Sequence, residues 1–86
     1  MNLENIKPEI NYPTKWEYKI IGSDVSKMIE AVESIVVDLE YDLIPSNISK
    51  KGKYFSLNIS VLVPSELIRD KIFRELKNHP AIKFVI

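Results

Sequence analysis

Residues 15–39 read KWEYKIIGSDVSKMIEAVESIVVDL, and the spacing of apolar side chains changes within them from two to 3.6. In the first part Trp16, Tyr18 and Ile20 share one side while Glu17 and Lys19 take the other, the alternation of a half-buried strand over residues 15–21. Gly22 ends it. Ser23 and Asp24 both suit a helix N-cap, where a side-chain oxygen accepts from an otherwise orphaned backbone N–H. Beyond them Val25, Met28, Ile29, Val32, Ile35, Val36 and Leu39 mark one helical face, with Glu30, Glu33 and Asp38 on the other. A half-buried strand leading into a one-sided helix is half of a βαβ unit.

The same order recurs downstream in a second unit. Residues 43–50 hold Ile44 and Ile48 but also Pro45, which has no N–H for a central ladder, so an edge strand is expected there. Residues 50–53, KKGK, read as a hairpin turn in which Gly52 can take a positive φ. Over residues 54–63, Phe55, Leu57, Ile59, Val61 and Val63 face one way and Tyr54, Ser56, Asn58 and Ser60 the other. Pro64 interrupts this strand and Ser65 caps a second helix, whose stripe is Leu67, Ile68, Ile72, Phe73 and Leu76. Asn78-His79-Pro80 stops that helix, and residues 81–86 read as a last strand with Ile82, Phe84 and Ile86 opposite Lys83 and Val85. Residues 1–14, polar and carrying Pro8 and Pro13, read as a flexible tail that docks through Ile6, Ile10 or Tyr12. Residues 15–86 read as one domain.

Strand, helix, strand, strand, helix, strand with right-handed crossovers gives two units whose strands interleave. The expected product is a ferredoxin-like α+β sandwich, βαββαβ, with an antiparallel sheet in order 4-1-3-2 and both helices on one face. Pro45 then falls on an edge and the two alternating strands fall at the centre. The other sheet face stays bare, formed by Glu17, Lys19 and Ile21, by Tyr54, Ser56, Asn58, Ser60 and Leu62, and by Lys83 and Val85.

With 86 residues the chain is sized for one core, and 45% hydrophobic against 28% charged residues is an ordinary globular composition. Twelve basic and twelve acidic residues cancel, which removes the overall pull that most nucleic-acid and anionic-membrane binders show. There is no Cys, so disulfides, thiolate metal sites and Cys nucleophiles are excluded. No apolar run has signal-peptide or membrane-spanning length, and a soluble cytoplasmic protein is expected.

The chemistry-bearing patterns of this fold are absent. RNA-recognition domains stack bases on strand-3 aromatics, but Lys53 and Asn58 stand where aromatics are wanted and Phe55 alternates toward the core. The turn after the first strand lacks the arginine of acylphosphatases and the cysteine pair of copper chaperones. His79 is the only histidine, beside Pro80 just past a helix end, where an interaction with the helix C-terminus accounts for it. No catalytic pair or phosphate loop is found, so neither catalysis nor a cofactor or metal is expected. The neutral total does conceal blocks: residues 24–42 carry six acids against Lys27, while residues 43–65 carry Lys50, Lys51 and Lys53 and no acid. The hairpin tip is therefore a small basic point suited in type to an anion.

Tyr12-Pro13-Thr14 ahead of Tyr18-Lys19 and Gly22, Lys51-Gly52 ahead of Tyr54 and Ser56, and Ile82 with Val85 resemble the YbeD-like family of small bacterial proteins of unknown function. The likeness covers residues 12–86. It implies a βαββαβ fold similar to ACT domains, regulatory modules that bind amino acids and often pair through edges or helices. Lys50 and Phe55 depart from the pattern. A shared fold does not transmit function, and the resemblance supplies no catalytic residues.

The expectation is a non-catalytic binding or regulatory module. A protein partner or a small anionic ligand would be recognised through the bare sheet face and the hairpin tip, by Lys19, Lys51, Gly52, Lys53, Tyr54, Ser56 and Asn58. No nucleic acid or membrane is expected, and the chain is read as a monomer or weak homodimer. A small enzyme subunit is the alternative, and single-stranded RNA binding stands behind it.

Overall fold

Alternation in two strands builds the centre of the molecule. In the computed structural model, which describes residues 10–48 and 53–86, β1 (Thr14–Gly22) and β3 (Phe55–Val63) pair antiparallel from Thr14↔Val63 to Gly22↔Phe55 without a shift. The remaining elements are α1 (Val25–Ile35), β2 (Tyr41–Ile48), α2 (Glu66–Asn78) and β4 (Phe84–Val85). The sheet order is β2-β3-β1-β4, all antiparallel, so the expected ferredoxin-like α+β sandwich is the fold. Pro45 does sit on an edge strand, and β2 carries an irregularity between Pro45 and Asn47. The KKG of the hairpin tip lies outside the described residues.

Tyr18 and Ile20 of β1 and Leu57, Ile59, Val61 and Val63 of β3 are buried against Met28, Ala31, Val32, Ile72 and Leu76 of the helices. Both N-caps act as their residue types dictate. Asp24 Oδ1 accepts from Lys27 N–H at 3.2 Å, and Ser65 Oγ accepts from Ile68 N–H at 3.2 Å. Gly22 is required by space: a Cβ there would lie 2.6 Å from the Ala81 carbonyl oxygen and 2.8 Å from the Met28 sulfur.

Three expectations need correction. The first helix stops at Ile35 rather than running through residue 39; Val36 caps it and Asp38 takes a left-handed φ of 66°. Val36 and Leu39 still pack on the core, but from the turn that returns the chain to Tyr41, two residues before the expected strand start. The last strand is shorter and has the opposite phase. Ile82 is buried, but Val85 stands opposite Ile20 and packs on the core, while Phe84 stands opposite Ile21 on the bare side. The cause is the turn before it: Ile82 N–H donates to the His79 carbonyl at 3.1 Å and Ala81 N–H to His79 Nδ1 at 3.0 Å. Ile82 thus belongs to a turn, and the strand's alternation starts after it. His79 also caps α2, its N–H bonded to the Leu76 carbonyl.

Candidate functional site: the uncovered sheet face

Strand register sets which side chains meet on the face without helices. Lys19 of β1 lies opposite Asn58 of β3, and Asn58 lies opposite Ile44 of β2. The adjoining row places Ser56 opposite Ile21, which lies opposite Phe84 of β4. Residues directly opposite in an antiparallel pair share a face, so these belong to one patch. Of the expected site residues, Lys19, Ser56 and Asn58 are brought together, Tyr54 and Lys53 lead into the same end of β3, and Lys51 and Gly52 lie outside the described residues. Lys83, expected on the bare face with Val85, holds its Nζ 5.7 Å from the centre of the Tyr54 ring.

The patch is more apolar than its sequence suggested. Phe84 is 61% exposed, Ile44 58% and Tyr54 41%. Alternation does not show Phe84 on this face because Ile82, which sets the apparent phase of β4, sits in the preceding turn. Alternation does not place Ile44 either, because this edge strand carries a proline and an irregular register between Pro45 and Asn47. Ser56, at the centre of this patch, is only 7% exposed, and its Oγ has no hydrogen-bond partner among the described residues. A sheltered hydroxyl without a partner costs roughly 1–3 kcal/mol.

A second polar group gathers beneath α2, on the helix side of the sheet. Tyr18 Oη donates to the Arg69 carbonyl at 2.7 Å, Arg69 Nη1 donates to Tyr12 Oη at 3.1 Å, and the guanidinium stands 4.4 Å over the Trp16 ring. Burial pushes the Tyr18 hydroxyl up from 10.0 to about 12, against the opposing pull of the Arg69 charge. Desolvation works against the Arg69 charge, but its hydrogen bond to Asp70 and the neighbouring Tyr12, Asp70 and Glu66 hold its pKa above the ordinary value. These contacts fasten Tyr12 and β1 to α2.

A family profile described as a protein of unknown function (DUF493) matches residues 7–86. An uncharacterised protein of Campylobacter jejuni is 42% identical, with 100% of this chain and 99% of that one covered. A UPF0250 protein of Leptothrix cholodnii is 32% identical over 90% of this chain and 89% of its own. The solution structure of HP0495 from Helicobacter pylori superposes with a TM-score of 0.82 at 30% identity, over 100% of this chain and 94% of that one. The resemblance to YbeD-like proteins and the expected fold are both borne out by these matches.

Proposed function

We infer that this chain, which belongs to the DUF493 (UPF0250, YbeD-like) family, works as a non-catalytic protein-binding module whose contact surface is the uncovered sheet face. The observation that carries the reading is the exposure of Phe84, Ile44 and Tyr54 on this face. Apolar exposure favours a protein over an anion, because a free phosphate or carboxylate gains nothing by covering Phe84 and Ile44. Lys19 lies on the face and Lys83 stands beside Tyr54, so the partner that fits has an apolar centre with carboxylates at its rim. The anion reading of the hairpin tip rests on sequence alone, since Lys51 and Gly52 lie outside the described residues. Regulation in the manner of ACT domains rests on shared topology, which does not by itself carry function.

Two substitutions separate binding from folding. Ser56→Ala removes a buried hydroxyl that bonds nothing among the described residues, so its urea midpoint is expected at or above that of the parent chain. Phe84→Asp leaves the core untouched and keeps the fold. Phe84→Asp is expected to lose a companion protein that the parent chain retains in affinity recovery from native cells, while Ser56→Ala, whose hydroxyl is out of reach of a docked surface, keeps it, with amide shifts from the purified companion centred on Lys19, Asn58 and Phe84. Shifts centred on the outer faces of α1 and α2, or recovery indifferent to Phe84→Asp, would overturn the reading.

A further inference from the structure

The outer edge of β1 is covered over only part of its length. Lys19 exchanges two backbone hydrogen bonds with Ile86, at 3.1 and 2.8 Å, and the Ile21 carbonyl accepts from Lys83 N–H at 2.8 Å. Alternate residues of an antiparallel strand aim their main-chain groups to the same side, so Glu17 and Lys15 aim theirs outward along this edge as well. Those groups have no partner among the described residues. Among the described residues, 14–18 therefore form an open strand edge. Beside it, between β1 and α2, lies a recess of about 300 Å³ lined by Trp16, Tyr18, Arg69, Asp70, Phe73 and Ile86.

We propose that this edge pairs with the same edge of a second copy, β1 antiparallel to β1 about a two-fold axis at Trp16. The occupant follows from charge and symmetry. The open span is centred on Trp16, as a self-complementary contact requires. Outward-bonding residues must face outward-bonding residues, which leaves three registers. Centring on Lys15 opposes two lysines and centring on Glu17 opposes two glutamates. Centring on Trp16 opposes Lys15 to the partner's Glu17, and Glu17 to the partner's Lys15, so both cross-strand pairs attract. The two Trp16 rings then meet on the helix side, at the recess flanked by Phe73 and Ile86. The opposite edge of the sheet is guarded against such pairing by Pro45 and its irregularity; residues 14–18 hold neither a proline nor a bulge. A net charge of zero sets no overall repulsion between copies.

The proposal stands on the strand edge and is independent of the uncovered sheet face. Sedimentation equilibrium of the full chain from micromolar to millimolar concentration tests it, with Lys15→Glu and Glu17→Lys as variants. Both positions are exposed, so both variants keep the fold. The parent chain is expected to form a dimer as concentration rises, with slowed exchange of the Glu17 amide and intermolecular contacts between Trp16 indoles. Each variant alone turns two attractive pairs into two repulsive ones and weakens the dimer by about tenfold. Mixing Lys15→Glu with Glu17→Lys restores opposite charges at both pairs and is expected to recover association. A chain that stays monomeric at millimolar concentration overturns the proposal. So does a dimer insensitive to these charges, or a Glu17 amide equally protected at every dilution, which would mean that the chain covers its own edge.

Discussion

Tyr18 joins the two layers of the molecule at a single side chain. Its ring is buried in the sheet's core face while its hydroxyl donates to the Arg69 carbonyl of α2. Burial disfavours the charged phenolate and pushes its pKa up from 10.0 to about 12, against the opposing pull of the Arg69 charge. A folded-state pKa above the unfolded one gives stability that is complete below the unfolded value and is lost as pH rises through the folded one. The parent chain should therefore lose stability relative to Tyr18→Phe between pH 10 and about 12. Urea midpoints of the two chains that stay parallel across that range would refute the assignment. Tyr18 was legible as a core residue from alternation alone. Its bond to α2 was not, because sequence spacing does not place the Arg69 carbonyl over a residue 51 positions away.

At the scale of elements, what the sequence made legible depended on where each segment's period was anchored. Both helix starts could be read because a capping side chain acts within three residues of itself: Asp24 and Ser65 each bond the N–H three positions on. Ser65→Ala is expected to cost about 1 kcal/mol, measured by denaturant unfolding, because Ile68 N–H then loses its acceptor. An unchanged midpoint would mean that another group satisfies that N–H. Ends were harder. Val36 and Leu39 keep helical spacing yet lie beyond α1, since core packing rewards the position of a side chain whether or not the backbone under it is helical. In β4 one residue sufficed to invert the reading. Ile82 is buried by the turn at His79, and extending its phase put Phe84 inside when it is outside.

At the scale of the whole molecule, a one-sided sandwich leaves one sheet face to solvent, where apolar residues gathered together mark a contact surface. Strand order and the central position of β1 and β3 were legible, and with them the places of Lys19, Ser56 and Asn58 on that face. Its apolar character was not, because Phe84 and Ile44 come from the two edge strands, the elements with the weakest alternation. The most direct measurement is site-specific photo-crosslinking in native cells, with a photoreactive residue introduced at Asn58 on the uncovered face or at Glu30 on the outer side of α1, both exposed. The account predicts a discrete adduct with another protein from position 58, lost on Phe84→Asp, and none from position 30. Adducts of equal yield from both positions, or from position 30 alone, would contradict it.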